Sequence, residues 1–305
     1  MFARIAAAWM TGLCVFAAAP AAAQDPDDEI IIEKRIEVDG QKAREQARDI
    51  TARTNSYSEP MARFQGEICP GVWGLLEDNA QAVIDRIFAN AEAADVPVNR
   101  EPNCKANVWA IVVNDPAATY AELLEDNSPL VRTLSKAERN AVREQQGPVR
   151  AWNIVSTRDE DGNAVLTGFE LAAEWQSAIT NGTPPPSVPT SRMSRLHIPV
   201  RVDLELSVVL VARSSLGDID SYALADYVTM RALARTQEPD ELTDFDTVLS
   251  LFAEGRRADR MTTFDRAYLR SLYLSSAHRP SRIAMASLTK LMEEELNAGA
   301  PPEPR

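Results

Sequence analysis

The sequence predicts an α+β fold, with a mixed sheet and flanking helices in the N-terminal two thirds of the chain and a helical C-terminal third. Two observations support this prediction. Up to residue 212, apolar and β-branched runs of strand length alternate with amphipathic stretches, whereas from Asp218 onward the segments have helical character. Of the 305 residues, 45% are hydrophobic and 25% are charged, which is typical of a globular protein with a sizeable core.

The first 23 residues have the composition of a secretory signal peptide. Arg4 supplies a positive charge, the stretch 5–19 has no charged side chain, and three alanines end at Ala23. We therefore expect cleavage after Ala23 and a mature protein in the periplasm or secreted. An uncleaved anchor is the alternative, but the apolar stretch is short for a helix that spans about 30 Å of hydrocarbon.

The cysteines agree with export. Cys14 is lost with the leader, so Cys69 and Cys104 remain, and an even number in an oxidising compartment predicts one disulfide. Closing a loop of roughly 35 residues stabilises a fold by about 3 to 4 kcal/mol in the chain-entropy model. Two free thiols or a metal pair are the alternatives, although no histidine lies near either cysteine in the sequence.

In the first half, a βαβ-like unit is the main prediction. Short extended pieces surround Cys69, an amphipathic helix covers 78–95, and the apolar run 108–113 predicts a strand buried on both faces. The disulfide would tie the first strand to the entry of the second. Before this unit we expect a short strand at 30–32, a turn at Asp39-Gly40 and a surface helix at 41–54.

In the rest of the chain, local signals predict strands first and helices last. The hairpin turn Asp159–Asn163 leads into 164–171, and Ser135 with Glu138 forms a capping-box pattern. The remaining predicted elements are helices at 117–126 and 135–145, strands at 149–155 and 196–212, and helices at 220–235, 244–254, 262–274 and 281–297.

We expect one domain over 24–297 and a disordered tail over 298–305. A second arrangement divides this domain at the proline-rich segment 181–190. Phe264, Tyr268 and Leu272 fall on one helix face and are expected in the core, with a ligand groove as the alternative.

No motif with established chemistry occurs in the sequence. There is no Gly-x-Ser-x-Gly elbow and no glycine-rich nucleotide fingerprint, and the only histidines, His197 and His278, lack the spacing of a zinc site. Two aspartate pairs, 218/220 and 244/246, resemble calcium-loop fragments but are explained by helix capping, and 159–162 is explained by a turn. No catalytic, cofactor-binding or metal-ligating residue is therefore assigned, and no cofactor is expected.

The formal net charge of −13 disfavours nucleic acid and anionic lipid as partners, because phosphate binding requires a basic face. We expect no stable membrane insertion once the leader has been removed. The partner is expected to be an unidentified protein or small molecule.

The segments 224–234, 247–252 and 261–273 together resemble the C-terminal half of zincin-type proteins. In those proteins an active-site helix is followed by a short segment and then by a helix with an aspartate and a Leu-Tyr ending. With the extended chain before them, they cover about 70 residues. The layout is similar to that of exported alphaproteobacterial proteins of unknown function. Here Asp226, Tyr227 and Met230 replace the zincin histidine, glutamate and histidine, so the resemblance implies the scaffold without its zinc chemistry.

The leading functional hypothesis is an exported, soluble, non-catalytic protein that binds a ligand or partner or supports envelope assembly. The alternatives are a hydrolase of unrecognised type that uses carboxylates such as Asp218, Asp220 or Asp226, a structural oligomer-forming protein, and a degenerate zincin-like protein. Aspartates that converge in a pocket would favour the hydrolase, whereas an exposed apolar patch would favour binding.

Overall fold

The structure is a computed structural model that describes residues 36–52, 59–187, 194, 196–239, 243–255 and 258–298. The expected leader, the expected strand at 30–32 and the tail from residue 299 lie outside these residues. Within them, the elements are α1 (Gly40–Ile50), β1 (Pro70–Trp73), α2 (Glu77–Ala93), β2 (Val108–Val113), α3 (Pro116–Glu125), α4 (Lys136–Glu144), β3 (Val149–Asp159), α5 (Gly168–Asn181), β4 (Val200–Ala212), α6 (Ser221–Leu233), α7 (Thr263–Leu274), α8 (Ser281–Ala284) and α9 (Leu288–Ala298), with 3₁₀ turns at Arg213–Leu216 and Val248–Ser250.

The strands form a mixed sheet in the order β1-β2-β4-β3. Strands β1, β2 and β4 run parallel to one another, and β3 is antiparallel to β4. In sequence, strand β4 comes after the proline-rich segment 181–190. In the sheet it lies between β2 and β3, which come before that segment, so residues from both sides of the segment form one sheet. The predicted α+β class, with helices last in the chain, is confirmed.

Helices cover both faces of the sheet. Helices α2 and α6 pack together and against one face, where Val108, Ala110 and Val112 join the main hydrophobic core. Helices α3 and α4 pack on the other face over a smaller cluster. The expectation that strand 108–113 is buried on both faces is only half right, because the alternate side chains, Trp109 and Ile111 among them, are partly buried.

The predicted βαβ unit and its disulfide are confirmed. The Sγ atoms of Cys69 and Cys104 lie 1.99 Å apart, and the bond joins the residue before β1 to the loop before β2. Backbone bonds reinforce this link, since the N–H groups of Asn107 and Val108 donate to the carbonyl of Cys69. The amide oxygen of Asn107 accepts the N–H of Cys69 in return. The start of β1 is therefore fixed by both covalent and hydrogen bonds.

The hairpin turn is expected to lead into a second strand over 164–171. This prediction is wrong, because only one residue pair forms after the turn. Asp159 closes the turn by accepting the N–H groups of Asp161 and Asn163. Ala164 then pairs with Arg158 as an isolated bridge, and α5 begins at residue 168. The helix continues through Ala172–Ser177, which is rich in alanine and other helix formers, so helix propensity prevails over strand pairing.

Three further boundaries differ from expectation. The predicted turn at Asp39-Gly40 is a helix start, because the Asp39 carboxylate caps α1, which ends at Ile50. The predicted helix at 244–254 is reduced to the 3₁₀ turn at 248–250, which Thr247 caps. The predicted helix at 281–297 is broken at 285–287, where bonds between residues three apart tighten the chain.

Two local predictions are confirmed. Ser135 and Glu138 form the capping box of α4. Phe264, Tyr268 and Leu272 are all buried on α7, as expected for a core stripe.

Candidate functional site

Helices α3 and α4 cover only part of their face of the sheet. They pack on β3 and β4, where Val208 and Leu210 are fully buried. On the same face of β1 and β2 the side chains are accessible, since Trp109 and Ile111 are partly buried and Trp73 is 71% exposed. We call this surface, formed by Gly71, Trp73, Trp109 and Ile111, the open face. Contiguous accessible apolar surface is a common feature of interaction sites.

The strand register places both tryptophans on the open face. Gly71 pairs with Trp109 and Trp73 pairs with Ile111, and the residues between them point to the opposite, buried face. A Cβ atom on Gly71 would lie 2.8 Å from Cζ3 and 2.9 Å from Cε3 of Trp109. The six-membered ring of Trp109 therefore occupies the space that a side chain at position 71 would fill. The indole of Trp73 follows two residues further along the same strand.

A cleft lies at the carboxyl ends of the parallel strands, and Arg213 in its lining reaches Gly74, the residue after Trp73. The cleft has a volume of about 410 Å³, and Val113 at the end of β2 belongs both to its lining and to the partly buried side of β2. The chain leaves β1 for α2 on one face and leaves β2 for α3 on the other. Ligands of open α/β sheets bind outside the carboxyl ends of strands whose connections diverge in this way.

Arg213 crosses the end of the sheet. Its Nη2 donates to the carbonyl of Gly74 at 2.8 Å, so a residue that follows β4 reaches the end of β1, with β2 between them. Gly74 has a φ of +87°, and a Cβ atom there would lie 2.1 Å from the carbonyl oxygen of Val112. This turn requires glycine. Beyond it Leu76 is 79% exposed, so Trp73 and Leu76 are both displayed at this end of β1.

The polar part of the cleft contains both donors and acceptors. Asn114, Asp115, Thr119, Glu122 and Arg213 line it. One oxygen of Asp115 accepts the first free N–H groups of α3, from residues 117 and 118, and so caps that helix. Two carboxylates against one guanidinium leave the lining net negative, which makes it a poor site for phosphate.

The aspartates considered as catalytic carboxylates have different surroundings. Asp220 caps α6 by accepting the N–H of Ala223 at 2.8 Å, and its other oxygen accepts from Arg260 at 2.6 Å. The bond from the Ala223 backbone, together with Arg260, lowers the pKa of Asp220. Asp218 lies in the turn before this cap. Capping of α6, as predicted, is confirmed for Asp220.

Asp226 is fully buried and hydrogen-bonded to two other segments. Arg86 on α2 donates to both of its oxygens, at 2.6 and 2.9 Å, and Asn90 on α2 donates at 2.7 Å. The N–H of Met261, just before α7, donates at 2.9 Å. The hydrogen bond to this carboxylate raises the pKa of Arg86. Because four donors surround it, Asp226 connects α6 to α2 and to the start of α7.

The α6 positions that carry the zincin resemblance lie in packed core. Asp226, Tyr227 and Met230 are all fully buried. The hydroxyl of Tyr227 donates to Glu238 at 2.5 Å and accepts from Arg231 at 3.2 Å. Burial raises the pKa of Tyr227 well above its usual value, so the phenol stays protonated. These three positions therefore hold helices together and do not line the cleft.

The two histidines meet in the fold although 81 residues separate them in sequence. Their rings stack with centroids 5.0 Å apart. His197 Nε2 lies 3.0 Å from a carboxylate oxygen of Glu160, and His278 Nδ1 lies 3.1 Å from the carbonyl of Ile198. The pair could not be predicted from the sequence, because no local pattern links the chain entering β4 to a loop after α7. Among the described residues, no three His, Cys, Asp or Glu side chains gather to hold a metal ion.

The other acidic turns have structural partners. Asp159 closes its hairpin turn as predicted, and hydrogen bonds from Asn163 lower its pKa. Asp244 accepts from Lys42 at 2.9 Å, which joins the chain after α6 to α1. The prediction that 244–246 caps a helix is wrong, because Thr247 is the cap of the following 3₁₀ turn.

Comparison of the chain with protein-family models, curated proteins and solved structures gives no match. The zincin resemblance therefore stays a prediction. Within the described residues, no helix combines the length and the apolar character needed to cross a membrane.

Proposed function

We propose that the protein is a non-catalytic binding protein that acts outside the cytoplasm and holds its ligand or partner on the open face and in the adjoining cleft. The observation that carries this proposal is Trp73, which is 71% exposed on the edge strand β1. Large aromatic side chains are the usual anchors of binding sites, and exposed apolar surface is otherwise unfavourable in water.

The support for a site outside the cytoplasm comes from two sources. The leader predicts export, and the Cys69–Cys104 bond is of the kind that persists in oxidising compartments. The same bond fixes the short strand that displays Trp73. A rigid platform loses less entropy on binding than a mobile one, so the disulfide also favours recognition.

A carboxylate hydrolase is less well supported. A general base must reach the proton that it removes, directly or through one water. Asp226 is buried among donors, and Asp220 is committed to capping α6 and to Arg260. A degenerate zincin-like origin agrees with the packed Tyr227 and Met230, and it too implies a protein without zinc chemistry.

The test is a thermal-shift screen of the mature protein against fractionated envelope extract. A ligand that binds only the folded state raises the melting temperature, by mass action. We expect at least one fraction to stabilise the wild type and Trp175→Ala but not Trp73→Ala. Trp175 is the matched control, because it is a 45% exposed tryptophan on α5 and is not one of the residues that form the open face. The proposal is wrong if no fraction distinguishes the two variants.

A further inference from the structure

We propose that the ligand of the open face and cleft is an uncharged saccharide, with the apolar face of a pyranose ring stacked on the indole of Trp73. This inference rests on the proposed function and adds the chemical class of the ligand. It follows from three features of the site: an aromatic platform, a polar edge with both donors and acceptors, and the sign of the charge.

The platform consists of two indoles on one face of the sheet. Trp73 is exposed, and the ring of Trp109 lies over Gly71, two residues earlier along β1. The face of an indole carries negative charge density, and the C–H groups of a pyranose face are weakly positive. Sugars offer such a C–H face on every ring, so a chain of two rings can contact both tryptophans.

The polar edge matches the hydroxyl groups of a sugar. Each hydroxyl donates one hydrogen bond and accepts others. The cleft supplies acceptors on Asp115 and Glu122, donors on Arg213, and both on Asn114 and Thr119. Its volume of about 410 Å³ is at the lower end of the range for small-molecule sites. One or two sugar rings are of this size.

The charge of the site excludes anionic ligands. Asp115 and Glu122 outnumber Arg213 in the lining, and the whole chain has a net charge of −13. Phosphorylated or carboxylated ligands would be repelled from this surface. Among saccharides, these charges therefore favour a neutral one, for which both carboxylates are useful acceptors.

A protein partner fits the site less well. Strand β1 has four residues and begins at Pro70, which has no N–H to donate, so addition of a further strand at this edge is disfavoured. An apolar protein surface seated on Trp73 would also remove Asp115, Glu122 and Arg213 from water without supplying partners, which is costly for charged groups.

The experiment titrates the mature protein with two neutral probes, cellotetraose and tetra-N-acetylchitotetraose, followed by tryptophan fluorescence and isothermal calorimetry. We expect saturable binding of at least one probe. Trp73→Ala should weaken it at least tenfold, which corresponds to about 1.4 kcal/mol. Trp73→Phe should retain most of the affinity, and Trp175→Ala should match the wild type. Because Trp73 is exposed, all three variants should keep the wild-type melting temperature.

Three results would overturn the inference. The first is the absence of saturable binding of either probe to the folded wild type. The second is an equal loss of affinity for Trp73→Ala and Trp175→Ala. The third is a fraction of the envelope extract that stabilises the protein only when Trp73 is present and whose active component is a protein. In the third case the saccharide is wrong but the binding function stands. If no fraction depends on Trp73, both proposals fail.

Discussion

Asp226 lies on α6 and Asp220 caps the start of the same helix, and replacing each by asparagine tests whether they have different roles. At position 226, asparagine keeps one acceptor oxygen but replaces the other with an NH₂ group. That group would face the donors of Arg86, Asn90 or Met261 inside the core. At position 220, asparagine is as good an N-cap as aspartate, so the bond from α6 is retained.

The expected losses of stability differ by about 2 kcal/mol or more. Breaking a buried ion pair costs about 3 to 5 kcal/mol, because a charge is left without compensation. Arg86 is 34% exposed and can regain water, so we place Asp226→Asn at the low end, about 3 kcal/mol. Asp220→Asn loses only the pair with Arg260, in which both side chains are substantially exposed, at about 0 to 1 kcal/mol.

The assay is urea unfolding of both variants and the wild type, followed by far-UV circular dichroism. The comparison is valid if the slope of free energy against urea is unchanged, since the variants then expose the same surface on unfolding. If Asp226→Asn unfolds at the same urea concentration as Asp220→Asn, the linking role of Asp226 is refuted, and the carboxylate would regain interest as a reactive group.

Three further predictions concern the turn after β1, the pH response and the sheet edge. Gly74→Ala should lower the free energy of unfolding in urea by more than about 2 kcal/mol, because the added Cβ would meet a backbone carbonyl. Gly147 has a φ of +75° in open space, so Gly147→Ala should cost only about 1 kcal/mol. Equal costs for the two variants would contradict the close approach at Gly74. Burial raises the pKa of Asp265 from 3.8 to about 6, so the folded state takes up the proton first as the pH falls. Between about pH 7 and pH 5 the wild type should gain about 1 kcal/mol relative to Asp265→Asn, and a constant difference in unfolding free energy would contradict this. Gln145→Ala should cost about 1 to 2 kcal/mol and promote self-association in light scattering, because the Gln145 amide pairs with both the N–H and the carbonyl of Ala151 on the edge strand β3. A variant with the association state and the stability of the wild type would rule out this role.

The parts of the fold that could be predicted are mostly those with local causes. The capping box of Ser135 with Glu138 depends on side chains three residues apart. The pairing of Cys69 with Cys104 is not local, but it could be predicted because only these two cysteines follow the expected leader. Asp226 could not be placed in the same way, because its partners lie on α2 and before α7. The local sequence does not distinguish a carboxylate that binds an arginine in the core from one that faces solvent.

The candidate site could not be predicted for a related reason. Trp73 stands in a Pro-Gly-Val-Trp-Gly run, and this pattern marks a short strand with a turn after it. Whether the indole is exposed depends on which strands α3 and α4 cover, which is a property of the tertiary structure. The two helices pack on β3 and β4. The face of β1 and β2 is left accessible as a consequence of strand order.

The open face and the disulfide have a common physical basis. Strand β1 is short, lies at the edge of the sheet and has only one packed face, so side-chain burial alone holds it weakly. The Cys69–Cys104 bond supplies stability that packing on the second face would otherwise provide. Replacing both cysteines by serine should lower the free energy of unfolding by about 3 to 4 kcal/mol.

The loss of stability in this double variant should affect β1 more than the rest of the sheet. In native-state hydrogen exchange, we expect the amides of β1 to lose more protection in the double serine variant than those of β4, which lies between two other strands. Trp73 would then become mobile, and binding at the open face should weaken while the core remains folded. If the amides of β1 and β4 lose protection equally, the disulfide stabilises the whole domain and has no special role in fixing the platform.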